Sequence, residues 1–73
     1  MLFHTRVKEL REEKGILQKE LAQALRLPAS QICNWERGKK RTSFEGLMAL
    51  AKFFEVSTDF LLGMVDEFGN PMT

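Results

Sequence analysis

The chain has little of what crosslinked, membrane-spanning or catalytic proteins are built from. Cys33 is its only cysteine, which excludes an intrachain disulfide and a zinc site made of several cysteines. One thiol without a bridge fits a reducing compartment, so a cytoplasmic protein is expected. No apolar run approaches the roughly 18 residues needed to span a membrane, and no basic-then-apolar secretory signal opens the chain. His4 is the sole histidine and has no ligand set around it, so no metal site is expected. A Ser/His/Asp set, paired acids and a phosphate-cradling glycine loop are also missing. The glycines at positions 15, 38, 46, 63 and 69 are dispersed and read as punctuation between elements. No catalytic residue, no cofactor and no enzymatic activity are expected.

What is present is one small domain with an uneven charge distribution. At 73 residues a single core is marginal and needs well-formed helix packing or a partner. The net charge is only +1, but the sign changes along the chain. Residues 1–41 hold ten of the eleven Lys and Arg against five acids, and residues 42–73 hold one Lys and five acids. A basic half and an acidic half imply one face presented to a polyanion and another turned away from it.

Helix punctuation recurs at short intervals and no strand of any length is evident, nor any repeat or low-complexity segment. The first helix is expected from Thr5 to Lys14, with Val7 and Leu10 inward and Gly15 as its stop. The second covers Gln18 to Leu25. Pro28 is expected in the first turn of the third helix, where its missing N–H is harmless, and Gly38 ends that helix. Thr42 or Ser43 starts the fourth, with Thr42 and Glu45 spaced as a capping box. Leu47, Leu50, Ala51 and Phe54 give this helix its apolar stripe, with Phe53 beside it. Ser57–Thr58–Asp59 caps a short fifth helix, Phe60 to Leu62, stopped by Gly63. The reading is all-α, five short helices around one core, in residues 1–63. Residues 64–73 form a tail that is either frayed or a small dimer arm.

Residues 18–37 carry the most information. Leu21, Ala22 and Leu25 share one helical stripe, and Ile32 and Trp35 share another across a three-residue turn. Two short helices so closely joined must cross steeply, and the small Ala22 lets them approach. This is the helix-turn-helix arrangement, which offers its second helix to the major groove of DNA. On that helix Ala29, Ser30, Gln31 and Asn34 are the candidates to reach base edges. The Ala29 methyl can meet a thymine methyl, and the Gln31 and Asn34 amides match adenine N6 and N7. Gln18, at a helix N-terminus, and Arg37, Lys39, Lys40 and Arg41, just past the second helix, are candidates for phosphate. Trp35 reads as core and Cys33 as a small buried hydrophobe.

Taken together, LREEKGILQKELAQAL, ICNWERGKK and VSTDFLLG resemble the Cro/CI-type, or XRE-like, helix-turn-helix regulators over residues 4 to 63. The resemblance implies a five-helix domain of the phage-repressor type, often dimeric, that binds operator DNA. It implies base contacts at Ala29, Ser30 and Asn34, with Gln31 less regular, and a backbone contact for Gln18. It also implies an ion pair between Arg11 and Glu36. Four positions depart from the family pattern. Leu17 and Pro28 stand where Ser or Thr caps are common, Arg26 where glycine is usual, and Thr42 where proline is frequent. A left-handed backbone at Arg26 would cost about 1 kcal/mol.

The expected function is therefore a sequence-specific DNA-binding regulator, a repressor acting as a homodimer on a two-fold symmetric operator in double-stranded DNA. A seam around Phe54–Val56, the fifth helix and the tail is expected for the dimer. The alternative on the same residues is a protein-interaction module of antitoxin or anti-repressor type.

Overall fold

Each helix of the chain is too short to stand alone and is held by its apolar face. The computed structural model describes residues 2–71 and places five helices: α1 (Phe3–Glu13), α2 (Gln18–Leu25), α3 (Ala29–Glu36), α4 (Phe44–Phe54) and α5 (Thr58–Leu62). Beyond the helices, the described residues hold one isolated antiparallel bridge, Val65 with Pro71. Met72 and Thr73, the end of the expected tail, lie outside the described residues.

The core is Phe3, Val7, Leu21, Ala22, Ile32, Trp35, Leu47, Leu50, Phe54 and Leu61. Leu10, Leu25, Ala51, Phe53 and Val56 pack against it from half-buried positions. Helix α1 starts two residues before its expected beginning because Phe3 is buried, its ring edge-on to Trp35 at 6.2 Å between centroids. That contact draws the first turn into the helix although Leu2 offers no side-chain cap.

The five helices share one way of ending. In each, a residue with positive φ closes the last turn through two backbone bonds, spaced five and three residues back. For α1 these are Ile16 N–H to Arg11 O and Gly15 N–H to Glu12 O. The left-handed residues are Gly15, Arg26, Gly38, Glu55 and Gly63. Arg26, at φ 59°, and Glu55, at φ 56°, hold without glycine a conformation that disfavours a Cβ. The residue that follows is apolar after four helices (Ile16, Leu27, Val56 and Met64) and is Lys39 after α3.

Three further helix beginnings differ from expectation. Helix α5 starts at Thr58, not Phe60, because the Ser57 hydroxyl accepts from Phe60 N at 3.0 Å and draws Thr58 and Asp59 into the first turn. Pro28 is the residue before α3, not in its first turn, with φ −64° and an extended ψ of 142°. A proline needs no N–H there either, and its carbonyl accepts from Gln31 N at 3.0 Å. The cap of α4 is Ser43, whose hydroxyl accepts from Gly46 N at 3.1 Å, so Thr42 and Glu45 form no capping box. Thr42 instead donates to Ser43 O. Leu17 has no oxygen with which to cap α2, but Glu20 returns its carboxylate to the Leu17 N–H at 2.7 Å. Half of a capping box is thus kept.

The starting point of α4 is set by Gly46, which is not punctuation. It is buried in the first turn, and a Cβ there would collide with the Thr42 hydroxyl and lie 3.0 Å and 3.1 Å from two atoms of the Trp35 ring. A register shift by one residue would drive Glu45 or Leu47 into the indole.

The described part of the tail, residues 64–71, is folded back on the domain. Arg6 donates to Phe60 O and, at 2.7 Å, to Val65 O, and its guanidinium lies over the Phe60 ring. Asp66 then accepts from the Asn70 and Phe68 N–H groups. Those bonds, Asn70 first, hold its carboxyl below the ordinary aspartate range.

Three helices converge on Glu36, the one charged residue in the buried set. Arg11 of α1 grips both its oxygens, Nε to Oε2 at 2.6 Å and Nη2 to Oε1 at 3.0 Å. Gln18 of α2 donates from Nε2 to Oε1 at 3.0 Å. Arg11 Nη1 reaches back to Ile16 O at 2.8 Å. The hydrogen bond to Glu36 raises the Arg11 pKa further above its ordinary value against the opposing effect of burial.

Two stability outcomes are expected. Gly46→Ala gains helix propensity of at most about 1 kcal/mol but presses on the Thr42 hydroxyl and on the buried Trp35 ring, an overpacking that costs about 1–3 kcal/mol. Thermal denaturation should show a net loss of stability. Glu36→Ala leaves Arg11 buried without its partner and should cost about 3–5 kcal/mol in urea denaturation. The paired change Arg11→Met with Glu36→Leu should cost far less, because no charge is left stranded.

Candidate nucleic-acid interface

A helix can offer side chains to a groove only if its opposite face holds it to the domain. In α3 that inner face is Ile32, Trp35 and Glu36, all buried. The outer face runs Ala29, Ser30, Cys33, Asn34 and then Arg37 just past the end, the spacing of one helical arc. Ala29, Ser30 and Arg37 are exposed, and Cys33 and Asn34 on the same arc are half-buried. Gln31 is half-buried at the edge of this arc, so of the four candidate base-reading residues it is the least squarely presented.

The crossing of α2 and α3 is the tight one that Ala22 permits. Ala22 is only 2% exposed, and its carbonyl accepts from Leu27 N at 2.9 Å. The turn Arg26–Leu27–Pro28 therefore begins on the small residue at the crossing. Its left-handed Arg26 turns the chain back, Leu27 drops onto the core, and Pro28 aims the start of α3 outward.

Past α3 the chain enters the basic loop. Arg37, Lys39, Lys40 and Arg41 are all exposed. Lys39 is tied down by its backbone, N–H to Asn34 O at 3.0 Å, which leaves its side chain free of any packing duty. These four cations lie within five successive positions that begin directly after α3. Gln18 stands at the first position of α2, half-buried, its amide nitrogen on Glu36. The arrangement can take a polyanion along the loop and read hydrogen-bonding edges from Ser30 and Asn34.

Three features were not drawn from the sequence. Phe3 and Gly46 fix Trp35, and Arg6 clasps residues 60–65; only Gly46 carries a signal, a glycine in the first turn of a helix with a strong apolar stripe. Cys33 is half-buried on the outer arc rather than enclosed. Phe54 is 8% exposed and belongs to the core, so it is not free to form a seam between subunits. No helix among the described residues is long and apolar enough to cross a membrane.

Comparison with known proteins agrees with this geometry. Residues 7–61 match the family described as helix-turn-helix. The transcriptional regulator ImmR of Bacillus subtilis is 38% identical over 63 residues, 86% of this chain and 50% of its own length. The transcriptional activator BcrR of Enterococcus faecalis is 37% identical over 62 residues, 85% of this chain and 30% of its own. The chain thus spans half or less of these two relatives. Among solved structures, the P22 c2 repressor in complex with a synthetic operator superposes with a TM-score of 0.79 at 30% identity. That match covers 84% of this chain and 92% of the repressor chain. The restriction-modification controller protein C.AhdI of Aeromonas hydrophila gives 0.74 at 32% identity, over 81% of this chain and 89% of its own. These relatives and neighbours are regulators and repressors, not enzymes. With its fold, its turn and more than half its length matched, the chain belongs to the XRE-like (Cro/CI-type) helix-turn-helix family of DNA-binding regulators.

Proposed function

We propose that this chain is the reading head of a sequence-specific transcriptional regulator and acts as a repressor by occupying its operator. The observation that carries the reading is the outer arc of α3 beside the exposed cations of residues 37–41. Ala29, Ser30, Gln31 and Asn34 read base edges, and Gln18, Arg37, Lys39, Lys40 and Arg41 hold phosphates. Support comes from the likeness to the P22 c2 repressor, whose solved structure holds a synthetic operator.

The chain works as a homodimer on double-stranded DNA, placing one α3 in each of two major grooves about one helical turn apart. Phe54 is buried and takes no part in the seam, whereas the tail expected there leaves Met64 and Phe68 58% and 82% exposed. Phe44 and Met48 lie one turn apart on α4 and are 85% and 64% exposed, and Leu62 adds a smaller apolar surface. Large apolar side chains left this open on a small domain mark an interaction surface.

Selection of bound duplexes from a random DNA pool at physiological salt tests the whole reading. A two-fold symmetric site with half-sites one turn apart is the expected product. A single unpaired half-site would remove the dimer, and no enriched sequence from folded protein would move the function to a protein partner. On the selected site, Asn34→Ala should cost about 1–3 kcal/mol and relax preference at one or two base pairs. Lys40→Ala should weaken all sequences alike and lower the slope of log affinity against log salt by about 1. Indistinguishable effects of the two changes on selected and random DNA would refute the division of roles.

A further inference from the structure

The Gln18 amide is held before any DNA arrives, and the holder is Glu36. An ionised carboxylate only accepts hydrogen bonds, so the amide atom facing Glu36 Oε1 at 3.0 Å is nitrogen. The orientation of this amide is therefore determined by chemistry, which is rarely so for a glutamine. One N–H of Nε2 is engaged, leaving the second N–H as a donor of fixed direction. The holder is itself immobile: Glu36 is 8% exposed and both its oxygens are gripped by Arg11. Arg11 also cancels a negative charge that would otherwise repel a phosphate close to Gln18.

We propose that Glu36 is a positioning residue for DNA binding, which locks the Gln18 side-chain amide so that its second N–H meets a backbone phosphate without further ordering. This rests on the DNA-binding reading above and deepens it. A glutamine side chain free in solution would lose its rotamer freedom on binding, which weakens affinity. In this chain that ordering is complete in the folded domain, at the expense of burying a carboxylate.

The test is a cycle of affinities for the selected duplex: the native chain, Gln18→Ala, the paired Arg11→Met and Glu36→Leu variant, and all three changes together. Gln18→Ala should lower affinity about tenfold in the native background and less than about twofold in the paired one. Because glutamine carries no charge, its removal should leave the salt slope unchanged, unlike the loss of a cation. Equal loss in both backgrounds, or no loss in the native one, overturns the proposal. Should the paired variant not fold, nitrogen-15 NMR of the intact, DNA-free chain decides. A locked Gln18 amide shows one protected, shifted side-chain hydrogen, whereas exchange as fast as that of the exposed Gln23 amide overturns the lock. If Asn34→Ala still weakens binding while Gln18→Ala does nothing, the DNA reading stands and only the role of Glu36 falls. If the native chain binds no DNA, the DNA reading falls, and with it the phosphate half of this inference.

Discussion

The Glu36 carboxylate is where α1, α2 and α3 meet, and the angles among these helices depend on how its oxygens are filled. Arg11 contributes a rigid two-pronged donor from α1, and Gln18 a single donor from α2. Apolar packing alone would press the three helices together but tolerate sliding, since dispersion and hydrophobic burial have little directionality. A fork of hydrogen bonds at 2.6 Å and 3.0 Å does not tolerate it. Burying such a pair is weak support for stability, because desolvation offsets most of the attraction. Its effect is to choose one arrangement of helices among several of similar compactness. The outer arc of α3 inherits its orientation from that choice.

Trp35 lies next to Glu36 in sequence and does for the apolar side what Glu36 does for the polar one. It is 1% exposed, edge-on to Phe3 and against the bare backbone of Gly46. Through it the start of α1 and the start of α4 are referred to the end of α3. The basic loop between α3 and α4 therefore hangs between two fixed points, the closing bonds at Gly38 and Lys39 and the Ser43 cap.

Much of this was legible in the residues, and where it was not the reason is physical. The bounds of α2 follow from an eight-residue amphipathic stripe between Leu17 and the turn, and the helix has those bounds. Helix α4 was recognisable by its stripe, but not its first residue, because Thr42 and Ser43 are both competent caps. A contact with Trp35, distant in sequence, selects between them. The start of α1 was misjudged for a similar reason: Phe3 is drawn into the helix by a ring on α3, which no local propensity encodes. Gly46 reads as punctuation because a glycine required by a neighbour's volume looks the same in sequence as one required by a turn. The outer arc of α3 was the easiest feature to see, since two inward residues, Ile32 and Trp35, determine which way the others face. The fold-back of residues 64–71 depends on Arg6, a residue that reads locally as an ordinary cation on a helix surface.

The shared closure of the five helices has one exception in composition, and it separates two properties of the domain. After α1, α2 and α4 the chain leaves the left-handed residue through a side chain that packs on the core (Ile16, Leu27 and Val56). After α3 it leaves through Lys39, anchored by main-chain atoms alone. Any residue that can donate a backbone N–H could stand there without disturbing the interior. The charge of the loop is thus decoupled from the folding of the domain. Relatives could gain or shed cations between α3 and α4, adjusting their grip on a polyanion, while drawing on the same core.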